Sequence, residues 1–192
     1  MNIGDDESRA AESVSLDEMR VLVRLVLWAA LIAVGGLLSF PALGVSVSMQ
    51  TFFVLLAGLV EGPKIAAAAA GLYLLAGILG LPVFVGGVGG PAILLKPSAG
   101  YALAFPLQAA IAGLANRAGQ KGRGPLSFGR ALAVSILASV VLHFFGFIGI
   151  VINAKIVPAA AAKMILTFVP GDLAKCAAAA SIASSRFFLK KK

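Results

Sequence analysis

Ionisable groups are scarce: only 12% of the 192 residues are charged, against 60% hydrophobic. A soluble domain of this length has nowhere to hide so much apolar surface, so the shortage of charge makes the chain an integral membrane protein. The single cysteine, Cys176, excludes an internal disulfide and a cysteine zinc pattern. The single histidine, His143, has no second histidine or carboxylate at a metal-binding spacing, so no metal is expected. A lone histidine in a helical bundle reads as a hydrogen-bonded packing residue. No G-x-x-x-x-G-K-[ST], H-E-x-x-H or G-x-S-x-G occurs, which removes an ATP site, a zincin and a hydrolase elbow. Net charge is +8, but the basic residues lie scattered between apolar segments and form no nucleic-acid face. The polar start lacks a signal-peptide pattern. Residues 1–20 read as a disordered cytoplasmic extension and 21–192 as one transmembrane domain.

Six apolar segments remain, near Leu25–Phe40, Gly44–Val60, Ile65–Leu81, Ala99–Ala115, Ala131–Ile152 and Pro170–Leu189. Several sit at the short end of the ~17–25 residues a spanning helix needs. They predict an all-α, six-helix transmembrane bundle. With the N-terminus inside, the inner side receives Arg9, Arg20, Arg24, Lys64, Arg117, Lys121, Arg123, Arg130, Arg186, Lys190, Lys191 and Lys192. The outer side receives Lys96, Lys155 and Lys163. That asymmetry predicts a multi-pass protein of the cell membrane with both termini cytoplasmic.

Besides Arg186, assigned to the inner side, two charges fall inside an apolar segment, Asp172 and Lys175. Three apart on a helix, they share one face. Pro170 suits a first helical turn, which would set Asp172 near the positive end of the helix dipole and the pair near the outer end of the last helix. A charge at mid-membrane costs ~2.5–3.5 kcal/mol, so such a pair is a candidate ligand or ion site; the alternative is a self-neutralising pair that seats the helix. Ile156 to Val169 reads as a short outer helix or hairpin arm leading to Pro170.

Other polar groups sit nearby in the sequence. Ser48, Gln50 and Thr51 stand at the mouth of a helix, and Pro106 and Gln108 interrupt the fourth segment. Gly80 to Tyr101 is apolar yet rich in Gly and Pro, so it predicts an outer loop tucked over the bundle as a lid. One carboxylate, one ammonium, a few neutral donors and acceptors, and Tyr73, Phe84 and Tyr101 describe a pocket for a small amphipathic solute. An intramembrane enzyme using Asp172 or His143 is the alternative from another class. Ala29 and Ala33, four apart, allow a helix to approach closely, either within the bundle or from a partner protein.

The ordered set Val47-Ser48-Met49-Gln50-Thr51-Phe52-Phe53, Gly62-Pro63-Lys64, Gly80-Leu81-Pro82-Val83-Phe84 with Gly86–Gly90, Leu95-Lys96-Pro97-Ser98-Ala99-Gly100-Tyr101 and Val169-Pro170-Gly171-Asp172-Leu173-Ala174-Lys175 resembles BioY, the biotin-specific S component of energy-coupling factor transporters. The resemblance implies the six-helix S-component fold, binding of biotin from outside, and energy supplied through a transmembrane scaffold subunit by two ATP-binding subunits. Another small vitamin is the alternative ligand within that class. The resemblance also implies that Asp172 and Lys175 contact biotin and that the Gly-rich loop, with Phe84, Gly87 and Gly89, forms a gate. Tyr101 and Gln50 would line the pocket, and Lys96 would supply a charge from the lid. Ala29 and Ala33 would form the small-residue motif that docks on the scaffold. Biotin enters as transported ligand, with no cofactor.

Overall fold

The computed structural model describes residues 3–42, 45–117 and 126–185. Within them lie six α-helices and one two-stranded hairpin: α1 (Ile3–Leu37), β1 (Ser39–Ala42), β2 (Val45–Ser48), α2 (Gln50–Glu61), α3 (Pro63–Ile78), α4 (Ala99–Arg117), α5 (Phe128–Ala154) and α6 (Pro158–Ala183). A short 3-10 turn, Pro91–Leu95, precedes α4. The six-helix expectation holds. Among the described residues, Ser15–Leu37, α5 and α6 are each long and apolar enough to cross a membrane. The 27 residues of α5 extend roughly 40 Å, more than the hydrocarbon core requires.

Three boundaries differ from the sequence reading. Helix α1 begins at Ile3 and so covers the stretch expected to be disordered. No Gly or Pro interrupts residues 5 to 34, and Ala, Glu and Arg favour the helix there. The described side chains from Ser15 to Arg24 are all exposed. Residues 45–48 form a strand and not the start of a helix: β1 and β2 pair antiparallel, Ser39 opposite Ser48, and α2 starts only at Gln50. Finally, α6 starts at Pro158, which takes the first-turn position assigned to Pro170. Pro170 lies inside α6, and Asp172 sits roughly four turns from the helix start, beyond the reach of its dipole. An internal proline is tolerated in membrane helices, where neighbours re-satisfy the freed carbonyl. Lys121, Arg123, Arg186, Leu189, Lys190, Lys191 and Lys192, used above for topology and for the end of the last segment, lie outside the described residues.

The bundle packs through small residues. Ala66, Ala69, Ala70, Ala109, Ala112, Ala138, Ala179 and Ala180 are fully buried. A Cβ on Gly58 would strike Ala109 O and Ala112 of α4, and one on Gly100 would strike Phe145 O of α5. Such helices meet backbone to backbone, the packing lipid favours because apolar side chains gain little there.

Polar contacts distinguish the two ends. At one end, Glu61 accepts from Arg24 and, at 3.0 Å, from Trp28 Nε1, fixing α1 to the α2–α3 turn. That turn needs Gly62 at φ 84°, with Pro63 opening α3. Asn116 Nδ2 donates to Val60 O at 2.7 Å, and Arg130 donates to Ala115 O. At the other end, Asn153 Nδ2 donates to Leu94 O (2.9 Å) and Lys96 O (2.8 Å), pinning the 3-10 turn to the end of α5.

Candidate ligand-binding site

A cavity of about 230 Å³ opens at the end that carries the hairpin and the 3-10 turn. Six segments supply its walls: Val47, Ser48, Gln50 and Thr51 from β2 and the start of α2, Tyr73 from α3, Phe84, Val85, Ile93, Lys96, Pro97 and Ser98 from the loop, Tyr101, Ala102 and Phe105 from α4, His143 from α5, and Phe168, Asp172 and Lys175 from α6.

Asp172 is the hub. Its Oδ1 accepts from Lys175 Nζ at 2.9 Å and from Thr51 Oγ1 at 3.4 Å. Its Oδ2 lies 2.9 Å from His143 Nε2, a close contact outside ideal hydrogen-bond alignment. The Asp172 and Lys175 side chains are only 13% and 11% exposed, so each charge depends on the other. Lys175 Nζ also donates to Ser48 O at 2.8 Å and Thr51 Oγ1 at 3.2 Å. Its three hydrogens therefore meet three acceptors inside the protein, and one of these is the last carbonyl of β2. The pair is a clasp between hairpin and α6 as well as a charged wall.

Beside the hub, Tyr101 Oη lies 3.3 Å from His143 Nδ1, the rings nearly perpendicular. Opposite, Gln50 is buried; its Nε2 donates to Tyr73 Oη at 2.5 Å and its Oε1 accepts from Ser48 Oγ at 3.2 Å. Phe84 packs edge-on against Tyr73 and fills the space left by Gly77, where any Cβ would collide with its ring. Lys96 stands exposed at the mouth, and its ammonium has no partner among the described residues.

Of the residues singled out from sequence, Asp172, Lys175, Tyr101, Gln50, Lys96 and Phe84 converge on this one cavity. Gly87 and Gly89 are not on its wall. Gly86 and Gly87 adopt φ 80° and 68° in the turn that lets Phe84 bridge to Val88, and a Cβ on Gly89 would meet the Gly80 and Leu81 carbonyls. Their work is to shape the loop that turns Phe84 inward. Ala29 and Ala33 lie on α1, half-buried against the core and away from the cavity. His143, expected to be a packing residue, is on the wall and touches the hub. No spacing in the sequence reveals it, because its partners lie 42 residues before and 29 after on other helices. Its burial beside a membrane carboxylate is the signal that counts.

The model of the BioY family matches residues 8–190. The chain belongs to the BioY family. It is 36% identical to the probable biotin transporter BioY of Pyrococcus horikoshii over 83% of this chain and 91% of that one. It is 35% identical to the biotin transporter BioY of Rhizobium etli over 84% and 89%. Its structure superposes on the crystal structure of the S-component for biotin from an ECF-type ABC transporter with a TM-score of 0.81, at 26% identity over 92% and 93% of the two chains. BioY proteins are transporters, which sets the intramembrane-enzyme alternative aside.

Proposed function

We propose that this protein is the biotin-binding specificity subunit of a vitamin uptake system, energised by two ATP-binding subunits through a transmembrane scaffold. The observation that carries the reading is a small cavity with a part-buried Asp172–His143–Tyr101 cluster inside and, at its mouth, Lys96, which has no partner among the described residues. Biotin has matching ends: a cyclic urea with two N–H donors and one carbonyl, and a flexible chain ending in a carboxylate. The cluster offers acceptors to the urea, and Lys96 offers a cation to the carboxylate. The charges support this arrangement. Asp172 and Lys175 cancel, so Lys96 and the ligand carboxylate cancel in turn, and the loaded site is neutral.

In this reading the cavity end faces outward, as the distribution of lysine and arginine predicts. The Phe84 loop and the hairpin close over the ligand, and release to the other side waits on the energising subunits. Ala29 and Ala33 are only half covered, and Ala30, Val34 and Leu37 beside them are exposed, which suits close approach of a scaffold helix to α1.

Equilibrium binding of labelled biotin to the detergent-solubilised protein tests the proposal. Saturation at one biotin per chain, abolished in Asp172→Asn, is the expected result. Absence of saturable binding by a well-folded parent would overturn the biotin reading.

A further inference from the structure

The cavity holds two tyrosines whose hydroxyls are each engaged by a different kind of partner, and the difference decides what each can offer a ligand. Tyr73 Oη accepts the Gln50 amide N–H at 2.5 Å, and Gln50 is held in that orientation by Ser48 Oγ on its Oε1. The hydrogen of Tyr73 is left free, so this hydroxyl faces the cavity as a donor. Tyr101 faces a ring nitrogen of His143 instead, and the protonation of that ring sets its role.

The neighbours of His143 bear on where its ring hydrogen sits. The charged groups around the cavity are Asp172 and Lys175 of α6 and Lys96 of the loop, with Tyr73 and Tyr101 the other titratable groups on its wall. Lys175, 2.9 Å from Asp172, already balances the carboxylate. The two ring nitrogens then divide by what each one faces. Nε2 faces a carboxylate, which can only accept, so the hydrogen sits on Nε2 and Nδ1 is bare. A bare Nδ1 takes the Tyr101 hydrogen, leaving the oxygen lone pairs of Tyr101 for the cavity.

We infer that His143 is a positioning residue that fixes the hydrogen-bond polarity of the site: through Nδ1 it holds Tyr101 as an acceptor, so that Tyr101 and Asp172 read ligand N–H groups while Tyr73 reads a carbonyl. The inference rests on the biotin reading and deepens it, since a cyclic urea presents that pattern of two donors about one acceptor. A hydroxyl free to rotate would tolerate donor or acceptor alike. With its hydrogen held by His143, Tyr101 rejects a ligand oxygen placed where an N–H belongs.

The test uses the two cyclic-carbamate analogues of biotin, in each of which one ring N–H is replaced by an oxygen of nearly the same size. Dissociation constants for biotin and both analogues are measured on the purified full chain and on His143→Phe, His143→Asn and Tyr101→Phe. In the parent, the analogue that sets its oxygen against Tyr101 binds roughly 10- to 100-fold more weakly than biotin, the penalty for opposing two acceptors. In His143→Phe that ratio falls toward unity for the same analogue, because Tyr101 turns to donate. In His143→Asn the amide oxygen replaces Nδ1 as acceptor and the ratio is retained, a rescue that mere filling of space would not give. Tyr101→Phe, which removes the hydroxyl, loses the ratio even if His143→Phe does not fold. A parent that binds both carbamates as tightly as biotin, or a folded His143→Phe with the parental ratio, overturns the inference and leaves the biotin reading intact. Failure of the parent to bind biotin overturns the reading of function itself.

Discussion

Lys175 shows how a charge inside a membrane protein is kept. Its ammonium has three hydrogens and three protein acceptors, Ser48 O, Thr51 Oγ1 and Asp172 Oδ1. Lys175→Met should destabilise the protein by about 3 kcal/mol or more, since it strands the Asp172 carboxylate without its ammonium and frees a strand carbonyl. Asp172→Asn combined with Lys175→Met should lie closer to the parent than the two single effects added together; thermal unfolding in detergent measures all three variants. Lys96 is the contrasting case, exposed and without a partner among the described residues. Lys96→Ala should leave folding unchanged and weaken biotin binding by about 2- to 5-fold, as expected of a solvent-screened ion pair. Biotin amide, which lacks the carboxylate, should bind parent and variant alike; an equal loss for both ligands would remove Lys96 from carboxylate recognition.

Helices and loops were legible in the sequence to different degrees. The charged face of α6 could be read directly, because Asp172 and Lys175 interrupt apolar sequence and their spacing matches a helical turn. The start of that helix could not, because two prolines, Pro158 and Pro170, each fit a first turn, and only packing decides which one does. Gly87 and Gly89 were ambiguous for a related reason: glycine serves equally where a ligand approaches the backbone and where a turn needs positive φ. The structure gives Gly87 to the turn and Gly89 to close packing on the Gly80 and Leu81 carbonyls, with Phe84 as the side chain they deliver. His143 was hidden because its importance comes from a meeting of three helices. If seating Phe84 against Gly77 is what closes the loop, Gly77→Ala must push the ring out. The expected outcome is a loss of about 1–3 kcal/mol in stability and a faster release of bound biotin, read by thermal unfolding and by a chase with unlabelled ligand.

At the scale of the whole molecule, polar contacts separate an end built on Arg24, Glu61, Asn116 and Arg130 from an end that holds the cavity. The distribution of lysine and arginine predicts that the first end lies inside. Cys176 is buried, so engineered cysteines can report orientation over a low background. Lys155→Cys should react with a membrane-impermeant thiol reagent on intact cells, and Lys64→Cys only after permeabilisation; the reverse pattern would invert the topology.

The close approach of α4 and α5 bears on how such a molecule changes shape. Gly100 and Gly149 lie against each other's backbones, where a Cβ on Gly149 would come within 2.6 Å of Gly100 N. Side chains can repack into a second arrangement, but two backbones in van der Waals contact have no alternative register nearby. The α4–α5 pair is therefore a stator. Tyr101 and His143, one on each of its helices, therefore share one rigid frame. A frame that cannot slide holds that pair in one register whether the rest of the cavity is empty or filled.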